Sequence, residues 1–167
     1  MSFYGTNASV SGALTTSFSQ LPSMTWNNNN MPLNFNWQAL NVSNFTQQTW
    51  MPASPGITWT GTNITLPYFG IYAITMNARI ASSGVFIQVV LNTATTGNGA
   101  TANMPTNNTA SEAYVLAAAG HANGPSCGAC AVLPLNAGSV ITPLIYCQNA
   151  TTSQYIQINV TLLQRLQ

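Results

Sequence analysis

The chain has 167 residues, of which 46% are hydrophobic and 2% charged, with a formal net charge of +1. That length and apolar content suit one domain with a real core and exclude disorder. Two arginines, no lysine and a single acid exclude a phosphate-binding surface, and no apolar run approaches the roughly 18–20 residues of a spanning helix. The polar surface must come from Asn, Thr, Ser and Gln, which hydrate well but create almost no long-range field. So little net charge also favours self-association.

Residues 1–25 are small and polar, with Phe3, Tyr4, Leu14, Phe18 and Leu21 scattered among them. They predict an extended arm, assigned to residues 1–30, ahead of a single domain over 31–167. There is no basic leader followed by an apolar segment, so no signal peptide is expected. Trp26 leads into four asparagines, a loop by composition.

Leu33, Phe35, Trp37 and Ala39 alternate with polar residues and predict a half-buried strand. Residues 41–56 read as a long connection with a short strand near Phe45, and Ile57–Thr60 as another short strand. The chain is organised around Leu66–Ile80. Tyr72, Ile74, Met76, Ala78 and Ile80 share one parity, as on a strand with one dry face. Ile64 and Leu66 keep that parity, while Pro67 and Gly70 predict a corner between two strand pieces.

A turn at Ser82–Gly84 leads to Val85, Ile87, Val89 and Leu91 on the next apolar face. Thr93–Thr109 reads as a surface loop, Ala113–Ala119 as a strand, Gly120–Gly128 as loop and Ala131–Leu135 as a short strand. Asn136–Gly138 is a turn. Val140–Cys147 is apolar on both parities, as in a strand covered on both faces. Ile156, Ile158, Val160 and Leu162 close the pattern. Eight or more short strands without a convincing helix predict an all-β antiparallel jelly-roll sandwich.

Chemistry-bearing residues are sparse. Cys127-Gly128-Ala129-Cys130, His121 and Cys147 form an incomplete zinc set, and buried thiols in a reducing compartment are the simpler reading. Glu112 is the only acid, so paired-carboxylate chemistry is excluded and a Ser-His-acid triad would need that residue. No enzyme, metal or cofactor is expected. Among the aromatics, Trp37 and Trp59 fall on apolar strand parities. Trp26 and Trp50 flank loops and are the candidate exposed binding aromatics.

The order of parts resembles the trimeric jelly-roll heads of the complement and tumour-necrosis-factor (TNF) type. The resemblance rests on Pro32–Phe35, on Asn63–Tyr72 with its apolar–Pro–x–x–Gly–aliphatic–Tyr pattern, and on Val85–Asn92. Leu133–Val140, with its Leu–x–Leu–x–x–Gly–x–Val pattern, and the closing strand Ile156–Leu163 complete it. There is no collagen-like stalk, Ser139 stands where the family has Asp, and the Asn/Thr-rich style is similar to spore-surface and viral heads. The resemblance implies a TNF-like homotrimer and a structural virion protein. Such a protein would be a capsid decoration, cement or minor capsid protein of a double-stranded DNA virus or phage, at the virion surface, with the major capsid protein or another virion protein as partner. Phe3, Tyr4, Leu14, Phe18 and Leu21 would then anchor the arm to the capsid. The alternative is a spike or fibre head that binds a receptor or glycan. Neither nucleic acid nor membrane is an expected partner.

Overall fold

The computed structural model describes residues 21–34, 37–53, 55–92 and 115–166. Twelve strands and one short 3-10 turn account for their regular structure. They are β1 (Ser23–Asn28), β2 (Pro32–Leu33), β3 (Gln38–Ala39), β4 (Thr46–Met51), β5 (Thr58–Thr60), β6 (Asn63–Thr65), β7 (Gly70–Ile80), β8 (Val85–Asn92), β9 (Val115–His121), β10 (Ser126–Leu135), β11 (Val140–Cys147) and β12 (Thr151–Arg165). The 3-10 turn Val42–Asn44 is capped by Asn41, whose side chain accepts from the Ser43 N–H.

Two antiparallel sheets face each other. Sheet I runs β10-β7-β12-β1-β4, with β2 attached to β12; sheet II runs β5-β6-β11-β8-β9, with β3 attached to β11. Consecutive strands therefore swap sheets repeatedly, which is the jelly-roll pattern. The predicted corner does this work at residues 66–70. β6 ends in sheet II and β7 begins in sheet I. Gly70 is needed there because a Cβ would run into the Gln164 carbonyl oxygen and the Leu162 side chain. Tyr72 braces the corner, donating from its hydroxyl to the Tyr68 carbonyl at 2.9 Å.

The core fills the space between the sheets. Tyr72, Ile74 and Met76 from β7 are fully buried, as are Ile156, Ile158 and Val160 from β12. Val85, Ile87 and Val89 of β8 with Ile141, Ile145 and Cys147 of β11 supply the other wall. The strands alternate as their sequences predict. β11 is buried on both parities along Ile141–Cys147. On its outward side Tyr146 lies 5.7 Å from Trp37 and 5.8 Å from Phe86, ring centre to ring centre. Gly120 opposite Phe86 leaves room for that ring.

Four boundaries differ from the sequence reading. β1 lies inside sheet I, between β12 and β4, so residues 23–28 belong to the sandwich and not to an arm ending at residue 30. The predicted strand over 33–39 is two short pieces in different sheets, with Leu33 opposite Thr151 and Ala39 opposite Leu144. A period of two holds across such a crossing and cannot reveal it. β10 starts at Ser126 rather than Ala131, because Cys127 and Gly128 pair with Ala78 and Asn77 although neither looks strand-forming. The connection 41–56 contains β4, whose mostly exposed Thr-Gln-Gln-Thr-Trp-Met sequence carries no apolar alternation. The predicted loop Thr93–Thr109 lies outside the described residues.

Candidate interaction face

The outward face of sheet I gathers the residues that can make contacts beyond the head. Register sets them in rows across the strands. Asn27, Gln157 and Asn77 form one row; Thr25, Asn159, Thr75 and Cys130 form the next; Ser23, Thr161, Ala73 and Val132 form a third. None of these residues is charged.

The middle row is a continuous relay of neutral hydrogen bonds. Trp50 Nε1 donates to Thr25 Oγ1 at 2.9 Å, Thr25 Oγ1 donates to Asn159 Oδ1 at 2.5 Å, and Asn159 Nδ2 donates to Thr75 Oγ1 at 2.8 Å. It joins β4, β1, β12 and β7. Thr25 Oγ1 both accepts and donates, and the Asn159 amide accepts with its oxygen and donates with its nitrogen, so the row is unbroken from Trp50 to Thr75. Thr25 is only 4% exposed although it lies on the outer face. In the third row Ser23 and Thr161 share a hydrogen bond of 2.7 Å between their hydroxyls. Cross-strand pairs of this kind fix the pleat and stiffen the surface.

Two β-bulges shape one end of the face. Met24 pairs with Thr49 but Ser23 with Met51, so Trp50 is the extra residue. Leu162 pairs with Tyr72 and Gln164 with Ile71, which makes Leu163 the extra residue on β12. Bulges re-aim side chains. Here they leave Trp50 59% and Leu163 48% exposed, with Val132 66% exposed on β10. One end of the face is thus apolar and the other an Asn/Gln surface bordered by Arg79, exposed on the same parity of β7.

The residues singled out from sequence divide sharply. Trp26 is not an exposed aromatic: it is fully buried on β1, edge-on to Trp59 at 5.7 Å between ring centres. Its parity matches Met24, so it faces the core. The four asparagines that follow read as a loop by composition, yet β1 runs on through Asn27 and Asn28. Trp50 is exposed and sits on the outward face. Leu21 packs against the core cluster. Phe3, Tyr4, Leu14 and Phe18 lie outside the described residues, as does Glu112. Thr25, Thr75 and Asn159 were missed. Alternating Thr and Asn on strands looks merely solvated until the register shows that they meet.

The cysteines are separated by strand geometry. Cys127 points inward and is partly buried, while Cys130, three residues on, lies on the other face and is exposed. One ion cannot use both. Burial pushes the Cys127 thiol up to about 11, with Cys147 nearby adding to the shift, and burial alone raises Cys147 to about 11. Both stay protonated at neutral pH, which makes them poor nucleophiles. Among the described residues no three His, Cys, Asp or Glu side chains cluster, and no helix is long and apolar enough to cross a membrane.

No protein-family model and no curated protein matches the sequence. Solved structures do match the fold. The PRD1 vertex protein P5 aligns with TM-score 0.60 at 12% identity, over 86% of this chain and 97% of that one. The globular domain of zebrafish complement 1qA aligns with TM-score 0.55 at 14% identity, over 87% and 99%. Murine APRIL aligns with TM-score 0.52 at 16% identity, over 84% and 99%. This chain therefore has the TNF-like jelly-roll fold of complement and TNF-type heads, shared with a phage vertex protein.

Proposed function

We propose that the protein is a structural virion protein of a double-stranded DNA virus or phage. In this reading it acts as a homotrimeric decoration, cement or minor capsid protein at the particle surface. The observation that carries this reading is the match of nearly the whole head to the PRD1 vertex protein P5. The nearly charge-free composition supports it, since surfaces of this kind associate without electrostatic repulsion.

The outward face of sheet I is the self-association surface in this reading. Its rigid hydrogen-bonded rows and its apolar end with Trp50, Val132 and Leu163 give a pre-organised, uncharged patch. The N-terminal segment supplies attachment, with its apolar side chains entering sites on the major capsid protein or another virion protein. Three copies would reinforce one another through avidity. A receptor- or glycan-binding head is the second reading, favoured by the exposed indole of Trp50.

Two measurements test the proposal. Light scattering after gel filtration should return three times 17.7 kDa at micromolar concentration. Antibody labelling of native particles should place the protein on their surface. A stable folded monomer, or its absence from purified particles, overturns the reading.

A further inference from the structure

The polar end of the outward face of sheet I differs from the relay beside it: its hydrogen-bonding groups are unpaired. In the relay, Trp50, Thr25, Asn159 and Thr75 bond to one another. In the next row the side-chain amides of Asn27, Gln157 and Asn77 make no hydrogen bond among the described residues. All three residues are half-buried. Neighbouring strands lie about 4.8 Å apart, so the three amides span about 10 Å. Gly128 continues the row, and the Asn77 amide oxygen takes the space that a side chain there would fill.

One row further out, Arg79 lies directly across from Tyr155. Arg79 is exposed and Tyr155 half-buried. The described residues include no acidic side chain that could pair with Arg79. The other arginine is placed differently, since the Arg165 guanidinium sits 3.5 Å from the centre of the Tyr68 ring.

We propose that this end of the face binds a sugar carrying one carboxylate. The inference rests on the second reading above, a glycan-binding head, and names its ligand class. An amide both donates and accepts, as a sugar hydroxyl does, so a row of amides matches the hydroxyls along a sugar. Tyr155 offers a ring to the apolar face of a pyranose and a hydroxyl at its rim. Arg79 presents a planar fork that fits one carboxylate. A single cation undermatches a polysulfated chain or a nucleic acid. A peptide fits poorly too, because β7, β12 and β1 are interior strands whose backbone groups are committed to the ladder. The apolar end stays available for self-association. Arg79 lies about 20 Å along β7 from Ala73, which shares a row with Val132.

The test uses the full chain and saturation-transfer NMR titrations. The probes are the methyl glycosides of glucuronic, galacturonic and sialic acid. Each is compared with its methyl ester, which removes the charge and keeps the ring. At least one acid should bind about fivefold more tightly than its ester at low salt. Arg79→Gln should abolish that preference and Arg79→Lys should keep part of it. Gln157→Ala should weaken acid and ester together. Melting curves of the variants should match wild type, so lost binding reports the site and not the fold. Equal binding of acid and ester, or a preference that survives Arg79→Gln, overturns the carboxylate site while the glycan-binding reading stands. If no sugar binds, both fall.

Discussion

Replacing Asn159 by Ala cuts the relay on sheet I at its middle. Two hydrogen bonds are lost, the one received from Thr25 and the one given to Thr75. At about 1 kcal/mol net for a neutral bond the loss is about 2 kcal/mol. Thr25 keeps the Trp50 indole as its donor, but its own proton loses its acceptor in a site only 4% exposed. The full loss is therefore expected rather than a water-compensated fraction. For a domain of this size about 1 kcal/mol moves the melting temperature by about 2–4 °C, so the shift is about 4–8 °C downward. Gln157→Ala, one row away on the same strand and face, is the control and should stay within about 0.5 kcal/mol of wild type. Scanning calorimetry at one fixed protein concentration is the assay, because self-association would add a concentration-dependent part to stability. If Asn159→Ala melts within 1 °C of wild type, or no lower than Gln157→Ala, the relay is not a stabilising network and the reasoning fails.

Gly70→Ala should destabilise the head by about 1–3 kcal/mol in denaturant melts, since the added methyl meets backbone at the Gln164 carbonyl and cannot relax away. Val132→Lys places a charge at the apolar end of the outward face and should yield a folded monomer in light scattering; a trimer of unchanged stability would remove that face as the interface. Cys130 should be alkylated first at pH 8, with Cys127 and Cys147 reacting only on unfolding, as mass spectrometry of timed samples will show. The same two thiols have folded pKa values of about 11, above their unfolded range. Their contribution to stability is thus complete at neutral pH and is lost between about pH 9 and 11, which alkaline melts should register.

Legibility in the sequence followed burial. β7, β8, β11 and β12 bury one or both faces, and their alternation gives the strands, their parity and the core almost residue by residue. The Pro67–Gly70 corner was equally readable, because Pro67 removes a ladder donor and Gly70 permits a sharp bend. β4 was invisible for the opposite reason: nearly all its side chains are exposed, so no dry face marks it. Trp26 was misplaced by its neighbours. An indole before four asparagines looks like a loop rim, yet parity with Met24 puts it in the core. The interaction face could be read only at Trp50, because Thr25, Thr75 and Asn159 are at least 50 residues apart in sequence and only the pairing of β1 with β12 and β12 with β7 brings them together.

A surface with as little charge as this one, where Arg79 is the one charged side chain among the described residues on the outward strand parity of β7, poses a problem of specificity that the outward face answers structurally. With so few charges, neither steering nor like-charge repulsion can do much to reject a wrong partner. Discrimination must come from shape and from neutral hydrogen bonds, and both require side chains that do not wander. The relay meets that need by fixing four side chains on four strands in one arrangement, each holding the next. The two bulges then set Trp50 and Leu163 at defined positions beside it. A partner that matches this row and its apolar end loses little side-chain freedom on docking, since that freedom is already gone in the free head. Association built this way should hold from low to high salt, because no ion pair contributes to it.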